Sequence, residues 1–152
     1  MSTVHEFVTA HCPFEDVQAA AAAYVAGLPV SDGKATVGMQ VHLDNLIVER
    51  RADIALRRAR AYRGYEIMEI EIRPHGGGPY PVLKGTLTAE DDGPNYCRLE
   101  LDGAYDPPLG VGAAVFDAVV GHSIAVAAIR HLLGEIKLAF EYAFLTGALV
   151  GS

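Results

Sequence analysis

The chain has no tryptophan, only two cysteines, and few charges: Asp, Glu, Lys and Arg make up 20% of its 152 residues, against about 25% in an average soluble domain. Each shortage excludes something. Cys12 and Cys97 stand far apart, so they make neither a disulfide framework nor a zinc site, which needs about four closely spaced ligands. Basic residues are scarce, 12 against 19 acidic ones for a net charge of −7. That excludes the basic face with which a nucleic-acid binder neutralises phosphates. Low charge with 51% hydrophobic residues excludes a disordered chain. The opening MSTVHEFV has neither the basic start nor the unbroken apolar core of a signal peptide, which points to a cytoplasmic protein. The longest apolar run, Leu109–Ile129, approaches the length a bilayer requires. Asp117 and His122 interrupt it, and Arg130 and His131 follow at once. A central Asp costs roughly 2.5–3.5 kcal/mol, so stable membrane insertion is not expected.

What is present is patterned. Val4–Cys12 alternates as a strand, with Val4, Val8 and Ala10 on one face and Glu6 the exception among them. Pro13 suits a first helical turn, Glu15 and Asp16 complement the helix dipole, and the Ala-rich run that follows is stopped by Gly27 and Pro29. A short helix over roughly Phe14–Ala26 follows from this. Strands are expected over Ala35–Leu43, Gly64–Arg73, Pro81–Ala89 and Asn95–Tyr105, each with period 2. Asp53–Arg60 has mixed faces and is expected near a sheet edge or end, and Leu46–Arg51 is expected to add a short strand or a turn. The linkers PHGGGP and EDDGP are turns by composition, so the strands form an antiparallel meander. After Asp106–Pro107–Pro108 the period becomes 3.6. Val115, Val119, His122, Val126, Ile129, Leu133, Ile136, Phe140 and Phe144 form one stripe of a helix of about nine turns. The sheet's apolar face is the one large surface available to bury it. With no repeat or linker, residues 1–152 are expected to form a single domain.

The opening VHEFVTAHCPFEDV and the closing TLTAEDDGPNYCRLELDGAYDPPLGVGAAVFDAVVGHSIAVAAIRHLL, in this order of elements, resemble the SRPBCC superfamily of START-like, Bet v 1-like and polyketide cyclase/dehydrase-related proteins. The resemblance implies an α+β helix-grip fold: a curved antiparallel sheet of six or seven strands wrapped around the long C-terminal helix, with one short N-terminal helix. It also implies a pocket between sheet and helix for an apolar small molecule, such as a lipid, sterol, polyketide, terpenoid or aromatic, and it implies no cofactor. Some members of the superfamily bind or carry the ligand, and others catalyse cyclisation or dehydration. One departure stands out. Relatives often carry a second short helix after the first, whereas here only about eight residues, Val30–Val37, precede the next strand.

Candidate site residues follow from the pattern. His122 falls inside the apolar stripe, where an imidazole either hydrogen-bonds a ligand, acts as an acid or base, or is a core histidine satisfied by a carbonyl or tyrosine. The expected lining is His122, Val126, Ile129, Met39, Met68, Ile70, Tyr80 and Tyr96, the methionines because thioethers adapt to irregular ligands. Tyr65 and Tyr105 lie on or beside strands as well. Arg57, Arg58, Arg60 and Arg63 form the one basic cluster, either an anion contact at the pocket mouth or a solvated face paired with carboxylates. No metal site is expected, because His5 and His11 are six residues apart on one strand. Gly76–Gly78 lacks the context of a phosphate loop. The leading expectation is a binder of a small hydrophobic ligand. A polyketide cyclase or dehydratase using His122 with a tyrosine is the first alternative. A non-catalytic homodimer joined through the apolar tail Phe144–Val150 is the second.

Overall fold

A computed structural model describes residues 2–43, 46–76, 82–106 and 118–147, with side chains for residues 3–39, 51–76, 82–105 and 125–147. Strand β1 spans Ser2–Ala10. A 3-10 turn over Phe14–Asp16 leads into α1, Val17–Ala26. Then come β2 (Val30–Ser31), β3 (Lys34–Leu43), β4 (Leu46–Tyr62), β5 (Tyr65–Pro74), β6 (Val82–Asp91) and β7 (Cys97–Asp106). Helix α2 spans Ala118–Leu145. The strands form one curved, unclosed sheet of seven in the order β1-β7-β6-β5-β4-β3-β2, every neighbouring pair antiparallel. The meander and the two helices thus lie where the periodicity places them. Val115, Asp117 and the Pro107–Pro108 turn lie outside the described residues.

One expectation is corrected: Leu46–Arg51 is not a separate short strand or turn but the first part of a single 17-residue strand that continues through Asp53–Arg60. Strand β3 pairs with it only as far as Asp53, and from Ile54 on it pairs with β5 alone, so Asp53–Arg60 does lie at an edge. Of the arginines that obscured its pattern, Arg57 sits across from Glu69 and forms an ion pair with it, while Arg58, across from Met68, reaches Glu66. One residue, Ala59, bulges out of the β4–β5 ladder between Arg58 and Arg60, so the alternation breaks once there without ending the strand. The short segment after α1 holds the β2–β3 hairpin, in keeping with the missing second helix noted in the sequence. Asp32 and Gly33 turn it with φ of 54° and 77°, the left-handed pair that a tight two-residue hairpin turn demands.

The core lies between the concave sheet face and α2. Along β5, Glu66, Met68, Ile70 and Ile72 point inward, and along β7, Cys97, Leu99, Leu101 and Tyr105 do so. From the helix, Ala125, Ile129, Leu132, Leu133, Ile136 and Phe140 are buried against them, with Val126 and Phe144 packed alongside. Helix α2 lies most closely on β1, β3, β7 and α1. Glu6, the exception on β1's inward face, reaches across to the helix, where Arg130 Nε donates to its Oε1 at 3.0 Å.

Curvature brings β6 and β7 very close at one point. Gly85 and Gly103 are cross-strand partners, and a Cβ on Gly85 would lie 2.1 Å from the Asp102 carbonyl oxygen. No side chain fits there without moving backbone. Gly85→Ala should therefore cost about 3 kcal/mol or more, read as a lower urea midpoint. A variant as stable as the wild type would show that the strands are not pressed together at this pair.

Candidate functional site

The site is built where α1 lies over the end of the concave face. Helix α1 turns Gln18, Ala21, Ala22, Val25 and Ala26 towards Leu56 and Arg58 of β4 and Glu66 and Met68 of β5. Between them runs a groove of about 460 Å³. The small side chains of the Ala-rich helix leave this room, because alanine holds the helix without filling the space beside it. Its walls are apolar apart from one polar cluster, Gln18, Arg58 and Glu66. Glu66 is 5% exposed. Its Oε1 accepts a hydrogen bond from Gln18 Nε2 at 3.1 Å and lies 2.7 Å from Arg58 Nε. Burying a carboxylate is costly unless it is paired and hydrogen-bonded, and here both conditions are met from the two sides of the groove. Two other grooves, of about 560 and 410 Å³, lie on the convex face. They are floored by exposed charges such as Arg57, Glu69, Lys84, Asp53 and Arg73.

A second polar group sits deeper. Tyr24 of α1 is buried in the same apolar cluster as the sheet face and the α2 stripe. Its hydroxyl is fully buried and has no hydrogen-bond partner among the described residues. Burial, helped by the Glu135 charge, pushes its ionisation well above that of a free tyrosine, so it stays a neutral hydroxyl. Leaving such a group unbonded costs roughly 1–3 kcal/mol. The residue was not legible from the sequence pattern, because VQAAAAAYVA is apolar all round and defines no face. The spacing Val17, Ala20, Ala21, Tyr24 was the signal present.

The structure places the expected lining residues unevenly. Met39, Met68, Ile70 and Ile129 are buried on the inward faces, and Val126 is half-buried beside them. Met68 alone of these also lines the α1 groove. Tyr96 lies in the turn before β7, 44% exposed. His122 lies on α2 but its side chain is outside the described residues, as are Tyr80 and the tail residues Ala148–Val150. Of the basic cluster, Arg58 reaches the groove, Arg57 pairs with Glu69 on the convex face, and Arg60 Nη1 donates to Tyr62 Oη at 3.3 Å. Among the described residues one group has donor atoms close enough to share a cation. It is His5, Glu100 and Asp102, all within 4.8 Å of one another, on the convex face and away from the groove. There the Asp102 hydrogen bond already holds the His5 imidazole above its ordinary pKa, with Glu100 adding to the effect.

At the far end of β1 the sheet is fastened to α2. The His11 amide donates to Glu141 Oε2 at 2.9 Å, and Lys137 Nζ reaches both Glu141 oxygens at 2.8 and 3.0 Å. The His11 ring stacks on Tyr96 at 4.8 Å and meets Phe144 at 5.2 Å. Partial burial alone would raise the Glu141 pKa. The Lys137 ammonium and the His11 amide outweigh it and hold the carboxyl below its ordinary value.

No family model matches the chain, and no curated protein matches it. Solved structures do. A conserved protein from Geobacillus kaustophilus superposes with a TM-score of 0.60 over 93% of this chain and 97% of its own, at 10% identity. A protein from Thermus thermophilus follows at 0.54 over 93% and 99%, at 12% identity. The di-domain ARO/CYC BexL from the BE-7585A biosynthetic pathway superposes at 0.50, at 15% identity, with 97% of this chain covering 48% of that one. These likenesses show the fold. It is a helix-grip α+β fold. Among the described residues no helix is long and apolar enough to cross a membrane.

The β1–α2 fastening makes a testable statement. Glu141→Gln should lower stability by about 1.5 kcal/mol at pH 7. Because the folded carboxyl titrates below the unfolded one, its contribution is complete above about pH 4.3 and is lost as pH falls through the lower folded value. Denaturant titrations of both proteins should therefore converge near about pH 3. An equal gap at both pH values would place the loss elsewhere.

Proposed function

We propose that the chain, acting as a single cytoplasmic helix-grip domain, binds a small hydrophobic ligand of lipid, polyketide or aromatic type between the concave sheet face and its helices. The observation that carries this is the α1 groove. It has an apolar wall of alanines, Val25, Leu56 and Met68, and it converges on one buried polar group, Glu66 with Arg58 and Gln18. Such a cleft, a few hundred Å³ of apolar surface with few directed polar groups, is what small-molecule sites are made of. In this reading Met68 belongs to the groove wall, Met39, Ile70, Val126 and Ile129 form the apolar core beside it, and His122, Tyr80 and Tyr96 are assigned to the ligand from the sequence alone.

A second reading, a polyketide cyclase or dehydratase acting in the same space, is favoured by Glu66. A buried carboxylate held by a guanidinium and an amide at a groove wall is equipped to move a proton. BexL, named an ARO/CYC, supports it at the level of fold. Here His122 with a tyrosine would supply the acid and the orienting hydroxyl.

Ala22 is exposed on α1 and lines the groove, so Ala22→Phe fills the space at little cost to folding. With 1-anilinonaphthalene-8-sulfonate as the probe, the variant should bind at least tenfold more weakly at an unchanged melting temperature. Tyr24→Phe, which removes a buried hydroxyl without a partner among the described residues, should fold as well as the wild type or about 1 kcal/mol better, read as a higher urea midpoint. Unchanged probe binding by Ala22→Phe would overturn the assignment of the groove.

A further inference from the structure

The chain's two cysteines come from opposite ends of the sequence, and the fold brings them together. Strand β1 ends at Ala10, whose cross-strand partner is Cys97, the first residue of β7. The Cys12 amide then donates back to the Ala10 carbonyl at 3.0 Å, so the chain doubles over and returns Cys12 to the side of Cys97. Both thiols are free, both have no exposed surface, and each is the main influence on the other's ionisation, which places them side by side. The Cys12 sulfur also contacts the Pro13 carbonyl oxygen at 3.7 Å.

We propose that Cys12 and Cys97 are a modification site, a dithiol that hydroperoxides convert reversibly into a disulfide, pinning the entry to α1 onto the sheet. The two sulfurs are not equivalent. Cys12 lies past the last rung of the ladder, whereas Cys97 is held in it, so local opening frees Cys12 first, and the neighbouring Cys97 thiol favours its thiolate. The Cys12 thiolate attacks one peroxide oxygen. The O–O bond breaks, the departing hydroxide takes up the proton Cys12 gave up and leaves as water, and Cys12 becomes a sulfenic acid. The Cys97 sulfur then attacks the Cys12 sulfur. The S–O bond breaks, and the hydroxyl leaves with the Cys97 proton as a second water. Two thiols have lost two hydrogens and the peroxide has become two waters.

Access needs only a local opening. Ala10–Cys97 is the last rung of the β1–β7 ladder, and the turn just before it, residues 91–96, is exposed throughout. Ladder ends of this kind open at far lower cost than the whole fold. The consequence lies in what Cys12 precedes. Pro13, the 3-10 turn and α1 follow it directly, and α1 forms one wall of the groove. Oxidation would anchor that wall to β7 by a covalent bond.

The wild-type protein decides the matter first. After brief treatment with hydrogen peroxide and alkylation with N-ethylmaleimide under denaturing conditions, the intact mass should show a monomer that has lost two hydrogens and taken up no maleimide. Peptide mapping should show Cys12 joined to Cys97, and dithiothreitol should reverse the change. Two alkylated thiols, oxygen additions alone, or a dimer joined between chains would overturn the proposal. Cys97→Ser should instead accumulate a dimedone-reactive sulfenic acid at Cys12, and its absence in a folded variant would overturn the assigned roles. Hydrogen exchange of residues 11–26 should slow at least severalfold in the oxidised protein. Unchanged exchange would refute the anchoring of α1.

Discussion

Everything in this fold depends on burying one helix stripe against one sheet face. The concave side of the sheet is a field of Met, Ile and Leu that cannot stay in water, and α2 offers Ile129, Leu133, Ile136 and Phe140 at the spacing that covers it. A flat sheet would meet a cylinder along a line. This sheet curves, and the curvature is written into the chain where Gly85 and Gly103 let β6 and β7 approach more closely than any side chain permits. Hydrophobic burial gives the pairing its energy but little direction. Direction comes from polar contacts at the rim: Glu6 with Arg130 along the helix, and the His11 amide with Glu141 at its end.

That division of labour explains which parts were legible beforehand. Alternation along β5, β6 and β7 and the 3.6 period of α2 report burial on one face, so those elements could be read directly from residues such as Met68, Ile70, Leu99 and Ile129. The outward arginines of β4 hid its pattern. Their partners, above all Glu69, stand on another strand, and the bulge at Ala59 shifts the phase midway. Glu6 looked anomalous on its own strand for the same reason, since Arg130 answers it from far along the chain. Local pattern records which way a side chain faces, whereas pairing between distant segments is settled by register.

The candidate site was less legible, and for a related reason. Alanine gives no hint of what it leaves empty, so the Ala-rich α1 read as a plain helix although its small side chains open the groove beside Leu56 and Met68. Glu66 was not singled out in the sequence. Its burial arises only because Gln18 of α1 and Arg58 of β4 converge on it. The proximity of Cys12 and Cys97 likewise follows from the β1–β7 register and not from any spacing. The groove at this end of the sheet draws its residues from α1, β4 and β5, and no one of these segments shows it alone.

On the function proposed above, the space between sheet and helices holds an apolar molecule. Native mass spectrometry of the gently purified protein should then show a discrete adduct of a small hydrophobic compound on the wild type that is absent from the folded Ala22→Phe variant. Bare chain mass for the wild type, both as purified and after incubation with a panel of lipids and polycyclic aromatics, would contradict it.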